Sequence, residues 1–197
     1  HTGDMTHWVR PVRPSSHRKI PKLAGPLADM AAHFLPKGRR YGFEIVRTRP
    51  SGSELKKVVS GSVEDYGVCG VERSAAWLDW RYAREAANDY RWLSAYHDGR
   101  LIATGSWGMQ NAIWGDVCDN RAHLVELLGT ENRGLQAVLS AIIEDATQAR
   151  ATVLETICNV APIATALRRA GFFRHRQAPF IARGLGDRLS DKDIPIH

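Results

Sequence analysis

Leu127-Leu128-Gly129-Thr130-Glu131-Asn132-Arg133-Gly134-Leu135-Gln136-Ala137-Val138-Leu139 runs from an apolar stretch through a polar turn into a new apolar periodicity. Upstream of the turn, His123 to Leu128 reads as a buried strand. Downstream, Leu135, Val138, Leu139, Ile142, Ile143 and Ala146 recur at helical spacing between Asn132 and Gln148, which predicts a helix with one apolar face packed on a sheet. Ala151 to Cys158 reads as another buried strand through Val153, Leu154 and Ile157. Strand, helix, strand in this order is a right-handed crossover, so the two strands are expected to be parallel neighbours. The turn itself opens a helix. Its backbone N–H groups and the positive end of the helix dipole are what a pyrophosphate needs. On chemistry alone it reads equally as a phosphate site or as an ordinary strand-to-helix connection.

Working towards the N-terminus, Tyr90 to His97 and Arg100 to Met109 are strand-like runs joined by Asp98-Gly99, a pair that tolerates the positive φ of a type I′ hairpin turn. Ile113 to Cys118 reads as a further strand ending at an Asp119-Asn120 turn. Tyr41 to Val46 predicts a strand broken by Pro50-Ser51-Gly52-Ser53. After it, Ser53 is the expected cap of a short helix through Leu55, Val58 and Val59, and a second helical piece is expected from Ser74 to Arg84. Towards the C-terminus, Pro162 to Ala170 predicts a helix ended by Gly171, and Phe172 to Arg176 and Pro179 to Arg183 predict closing strands. The fold class is therefore α/β, with a mixed central sheet and flanking helices.

The first forty residues carry Pro11, Pro14, Pro21, Pro26 and Pro36, and no stretch before Pro26 is long enough for a stable helix. A short helix is expected at Leu27 to Leu35. Residues 1–40 thus read as a basic, proline-rich linker or arm that is dispensable for folding, 41–185 as the folded domain and 186–197 as a tail. The charge supports this division. Of the 27 Lys and Arg and 21 Asp and Glu in the chain, the first sixty residues hold twelve and four, leaving fifteen and seventeen in the remainder. The +6 net charge belongs to the front segment. Such an arm can bind polyanions, but it reads more readily as a solvated linker, and a nucleic-acid partner is the weakest of the readings.

With 197 residues, 44% hydrophobic and 24% charged, the chain has the size and composition of one soluble globular domain with appended segments. Cys69, Cys118 and Cys158 are odd in number and far apart, which predicts packing roles in a reducing compartment. No run approaches the roughly 18 apolar residues of a membrane span, and no secretory signal precedes the domain, so a cytoplasmic setting without a membrane partner is expected. Because the chain starts at His1, it can equally be a tag remnant, a processed product or part of a longer protein.

The order of elements, the quoted turn and the later Leu167-Arg168-Arg169-Ala170-Gly171-Phe172 resemble the GNAT (GCN5-related N-acetyltransferase) superfamily. Its cofactor turn reads Val-x-Pro-x-x-Arg-Gly-x-Gly-x-Gly/Ala, and its last helix ends in Tyr-x-x-x-Gly-Phe. Leu128 falls on the valine, Thr130 on the proline, and Arg133 and Gly134 on the arginine and first glycine. Gln136 and Val138 replace the later small residues, and Leu167 replaces the tyrosine that often protonates the departing thiolate. The segment Trp77-Leu78-Asp79-Trp80-Arg81-Tyr82 is also similar to a stretch found in a subset of these proteins, some with two GNAT units in tandem. That implies a neighbouring GNAT domain as a partner.

The resemblance implies acetyl-CoA or another acyl-CoA lying across Glu126 to Leu128 and Ala151 to Cys158. Leu127, Leu128, Arg133, Gly134, Leu135, Gln136 and Ala137 would be its binding residues, with weak binding or none because of the departures. A base would deprotonate a small-molecule or protein amine acceptor. Glu126 is the nearest carboxylate and His123 the other candidate. Glu126 also shares an alternating face with Leu124 and Leu128, which fits a structural glutamate.

Other constellations are weaker. Cys118, Asp119 and His123 lack the second pair a metal site needs, so no metal is expected. Cys158 with His97 mimics a thiol and its base, yet Cys158 ends an apolar strand. Trp107 and Trp114 flank the hairpin end and could line an acceptor pocket. The first reading is an acyl-CoA-dependent N-acyltransferase. The alternative is a non-catalytic GNAT-like domain that binds a ligand or a neighbour.

Overall fold

The computed structural model describes residues 2–16, 19–66, 76–77, 82, 90–114 and 117–181. Seven strands form a single sheet: β1 (Thr2–Pro11), β2 (Glu44–Val46), β3 (Arg91–His97), β4 (Arg100–Trp114), β5 (Val117–Gly129), β6 (Val153–Ile157) and β7 (Phe173–Ile181). Their order across the sheet is β2-β3-β4-β5-β6-β1-β7. The described helices are α1 (Gly25–His33), α2 (Gly52–Tyr66), α3 (Asn132–Gln148) and α4 (Ala161–Arg169). The β5-α3-β6 crossover is present as expected: β5 and β6 are adjacent and parallel, with His123 opposite Glu155. Every other neighbouring pair is antiparallel, so the sheet is mixed.

The Asp98-Gly99 hairpin also forms as read, with φ of 49° and 71° at its two residues, the left-handed pair that a type I′ turn requires. The expected Asp119-Asn120 turn does not form. Both residues lie inside β5, opposite Ala112 and Asn111, and β4 and β5 pair as far as Trp114 and Val117. The cap of α2 is Ser51 rather than Ser53. The Ser51 N–H donates to Glu54 Oε2 at 2.9 Å, and the Glu54 N–H reaches Ser51 Oγ at 3.4 Å, a reciprocal capping box in the pattern Ser-x-x-Glu. Of the helical piece expected at Ser74 to Arg84, all but Ala76, Trp77 and Tyr82 lies outside the described residues.

The largest departure is at the N-terminus. Thr2–Pro11, read as the start of a solvated arm, is a strand inserted between β6 and β7. The prolines exclude a helix there, but ten residues ahead of Pro11 span about 33 Å as a strand, which was long enough all along. Alternation then sorts its side chains. Trp8 and Arg10 are both 1% exposed on one side, with His7 and Val9 on the other. Trp8 Nε1 donates to the Cys158 carbonyl at 2.9 Å. Arg10 Nη1 donates to the carbonyls of Pro36 at 2.7 Å and Ala170 at 2.8 Å, which ties the chain before β2 and the end of α4 to β1. Gly171, at φ +79°, sits so close to this guanidinium that a Cβ there would lie 2.1 Å from Arg10 Nη1.

α3 is buried on all sides rather than on one. Every residue from Gly134 to Ile143 is buried, because β3, β4 and β5 cover one flank, α4 another, and the chain between α1 and β2 lies over a third, with Gly38 against Gln136. A helix enclosed in this way tolerates few changes of volume. A smaller core on the opposite face of the sheet holds Leu55 and Val58 of α2 against Trp92, Leu101 and Leu128.

Two outcomes follow from the placement of β1. Removing residues 1–12 should abolish the cooperative urea transition, and Trp8→Ala should lower stability by about 3–5 kcal/mol; a truncated chain melting like the whole would show that β1 is not part of the folded unit. The second concerns pH. Burial, the largest influence, holds the His7 and His123 imidazoles below their ordinary 6.5, so the unfolded chain takes up protons first as pH falls. Their contribution to stability is complete above about pH 6.5 and is lost below it. Urea midpoints at pH 7.5 and 5.5 should therefore differ, and the difference should shrink in the His7→Gln, His123→Gln double variant.

Candidate functional site

Midway along β5 the ladder skips a residue: Ser106 pairs with Glu126 and Trp107 with Leu124, leaving Val125 as a β-bulge. The bulge changes which way the side chains point. His123 and Glu126 are three apart and would lie on opposite faces of a regular strand, but here they oppose Gly108 and Ser106, two residues apart on β4, and so share a face. Leu124, expected beside Glu126, turns instead into the main core with Trp107. The parallel pairing of β5 with β6 runs through Arg121, Ala122 and His123, whereas β5 continues to Gly129 and β6 to Ile157. The two strands thus part just beyond His123 and Glu155, next to the bulge.

Glu126 is only 4% exposed. The Tyr82 hydroxyl donates to its Oε1 at 3.3 Å and lies 3.3 Å from Ser106 Oγ. On the same strand, next to the hairpin, His123 belongs to a polar cluster. Glu155 Oε2 accepts from His7 Nε2 at 3.2 Å and from Arg121 Nη1 at 3.3 Å, while its Oε1 lies 3.3 Å from His123 Nε2. His7 and Glu155 escaped the sequence reading. His7 lay in the presumed arm, and Glu155 is a single acid in the apolar run Val153–Ile157; a charged residue at the centre of a buried strand was the available signal. Burial, outweighing the neighbouring Glu155 carboxylate, holds the His123 imidazole below its ordinary pKa, which favours the neutral form a base requires.

The residues read as cofactor contacts are largely core. Leu127 packs in the main cluster with Leu135 and Ala137, and Leu128 in the one beneath α2. Gly134 does not face a phosphate: a Cβ there would lie 2.6 Å from Ile102 Cγ2 and 3.1 Å from Ala103 Cβ, so this glycine lets α3 approach β4. Val138 points to the sheet too, against Gly105. Of the two replaced small residues, only Gln136 lies between α3 and α4. Its Nε2 donates to the Ala166 carbonyl at 2.7 Å, and Gly38 is seated on it so tightly that a Cβ would come within 2.7 Å of the Gln136 carbonyl oxygen and 3.1 Å of its Oε1. At the mouth, Arg169 Nη1 donates to Asn132 Oδ1 at 3.2 Å, and the Arg133 guanidinium lies 5.8 Å from the centre of the Tyr41 ring. The flank of α3 that faces α4, where the resemblance places the cofactor phosphates, is filled by the Gln136 side chain and the Gly38 segment, so the phosphates do not fit there as it stands. Leu167, in the place of the expected tyrosine, is fully buried and has no proton to give.

The remaining constellations separate. Cys158 Sγ accepts from the Val160 N–H at 3.3 Å, and burial raises its pKa, while His97 sits against Phe43 and Asp98. Trp107 is in the core with its Nε1 donating to Asp145 at 3.2 Å, and does not line a pocket. The side chains of Trp114, Cys118 and Asp119 lie outside the description. Among the described residues no group of three His, Cys, Asp or Glu could hold a metal ion, and no helix is long and apolar enough to cross a membrane.

No family model matches the sequence and no curated protein matches it. Solved structures do. A GCN5-related N-acetyltransferase from Anabaena variabilis ATCC 29413 superposes over 90% of this chain with a TM-score of 0.56 at 8% identity. A protein of unknown function from Enterococcus faecalis V583, described as a probable N-acyltransferase, superposes over 89% with a TM-score of 0.52 at 14% identity. The chain spans only 39% and 37% of the length of these two proteins. The mixed seven-strand sheet with its flanking helices agrees with that likeness, and the chain has the GNAT fold.

Proposed function

We propose that this chain is a GNAT-fold unit that does not take acyl-CoA in the cofactor groove and serves as a binding or docking domain, with a neighbouring GNAT domain as one partner. The observation that carries this reading is the closed groove: Gln136 bonded to Ala166, with Gly38 seated upon it. Each phosphate contact to a helix N-terminus contributes about 0.3–1 kcal/mol. Entry would break the buried hydrogen bond from the Gln136 amide to the Ala166 carbonyl, worth about 0.5–1.5 kcal/mol, and lift the Gly38 segment, so the gain is offset before any affinity accrues. A reducing, cytoplasmic setting is consistent with the thiol of Cys158, which is free.

The N-acyltransferase reading has one observation of its own. The bulge at Val125, the parting of β5 from β6 and the buried Glu126 and half-buried His123 on one face form the scaffold on which an acyl group from acetyl-CoA would meet an amine acceptor, with either group as the base. The two readings diverge in calorimetric titration. Acetyl-CoA should bind the unmodified chain with a Kd no tighter than about 100 µM, or about −5.5 kcal/mol; micromolar binding would overturn the docking-domain reading. Gln136→Gly should cost about 1 kcal/mol of stability as a helix glycine and about 0.5–1.5 kcal/mol more for the lost hydrogen bond to Ala166, and should strengthen binding if the groove is merely obstructed. If turnover is found with any amine, Glu126→Gln should lower it by about 10²–10⁴-fold, and an unchanged rate would remove Glu126 from the chemistry.

A further inference from the structure

α1 is built inside out. Leu23, just ahead of the helix, and Leu27, Met30 and Phe34, at its outer side and end, are 96%, 65%, 54% and 77% exposed. Their spacings of four, three and four residues place them in one stripe along the helix. The inward side carries small residues, Gly25 and Ala32, both buried. Asp29 is held on that inner flank by Ser15, whose N–H and Oγ donate to its two oxygens at 2.7 and 2.6 Å. α1 therefore meets the neighbouring Pro14–Ser16 turn with its small and polar residues and leaves the four bulky apolar ones outward. A contiguous stripe of this kind marks a contact surface.

Charge identifies what the stripe meets. Between Arg13 and Arg40 the sequence has seven Lys or Arg and the single acid Asp29. Lys22 is adjacent to Leu23, while Lys37 and Arg39 follow Phe34, and Lys22 and Arg39 are exposed. An apolar stripe in a strongly basic surround is complementary to a surface that is apolar beneath and anionic above. We propose that α1 and its basic flanks dock on an anionic membrane surface, with Leu23, Leu27, Met30 and Phe34 at the boundary between headgroups and acyl chains. α1 is far too short to span a bilayer, so it lies on the membrane, and the expectation of no membrane partner, which rested on the lack of a span, does not bear on this mode. A second copy is disfavoured because two basic surrounds would face each other. A nucleic acid would use the cations but not four bulky apolar side chains. The inference is independent of whether the groove between α3 and α4 takes a cofactor.

Vesicle sedimentation tests it with the whole chain. Pelleting is expected with mixed phosphatidylcholine and phosphatidylglycerol vesicles and not with phosphatidylcholine alone, and it should weaken steeply as salt is raised, since the attraction is screened. The Leu27→Asp, Phe34→Asp double variant changes only exposed positions, so its melting should match the parent while its vesicle affinity falls by at least about tenfold, or about 1.4 kcal/mol. Lys22→Gln with Arg39→Gln should weaken binding to anionic vesicles with the stripe intact. The proposal is overturned if anionic vesicles are not bound, if neutral vesicles bind equally well, or if the stripe variant binds unchanged. It is also overturned if ultracentrifugation shows a dimer that the stripe variant dissociates, which would assign the stripe to a second copy. Release from vesicles by an RNA oligomer that binds regardless of the stripe variant would assign the basic flanks to nucleic acid.

Discussion

The sheet depends on a slot filled from the far end of the chain. Among the described residues β7 pairs only with β1, over eight residue pairs from Thr2 to Val9, and β1 in turn pairs with β6 over five. Remove β1 and two rows of backbone N–H and C=O groups lose their partners together, each comparable in cost to a lost hydrogen bond. The same strand brings Trp8 under the main core and Arg10 to the carbonyls of Pro36 and Ala170. A guanidinium buried this deeply is tolerable only because carbonyl oxygens meet it, and burial pulls its pKa down to about 10 without discharging it at neutral pH. Through Arg10, the strand fixes both the segment that overlies α3 and the turn that ends α4. The closed groove is therefore a property of the fold as a whole.

That linkage explains why α3 departs from the simple picture of a one-sided amphipathic helix. Its sequence places Gln136 and Ser140 among apolar residues, and on periodicity alone these mark a solvated flank. Both are buried, 2% and 6% exposed, because the flank is covered rather than solvated. A buried amide must find partners, and Gln136 finds the Ala166 carbonyl. Within the GNAT frame the residue at this position is a glycine that leaves a groove; here its side chain bridges the two helices that would otherwise form the groove's walls.

What was legible in the sequence were the local signals that no tertiary contact overrides. The Asp98-Gly99 turn, the β5-α3-β6 crossover and the helix opened by Pro162 within the Ala161–Arg169 element each rest on a few adjacent residues. The features that escaped depend on long-range pairing. Pro11 and Pro14 excluded a helix near the N-terminus, but whether the residues before them form a strand is decided by β6 and β7, more than 140 positions away. The bulge at Val125 has no glycine or other local mark, yet it alone brings His123 and Glu126 to one face and sends Leu124 to the other. Glu155 could be flagged as a lone acid in an apolar strand; its partners His7, Arg121 and His123 come from two other strands.

Residues between β1 and β2 read as linker by composition, yet they carry out two opposed tasks on their two sides. Inward, Ala32, Pro36 and Gly38 meet the body of the domain through small side chains and backbone, which allows the close approach seen at Gln136. Outward, the bulky residues of the same stretch are left in water. Had Leu27 and Met30 faced inward, α1 could not lie as close to Ser15, where even the Cβ that Gly25 lacks would come within 3.1 Å of the Ser15 side chain. The close approach to Ser15 therefore requires small residues inside, and the apolar residues that hold a helix down in most globular proteins are displaced to its outer face. The stripe on α1 and the closed groove over α3 are in this sense two consequences of one packing constraint, imposed by a segment that must fit between an N-terminal strand and a buried helix.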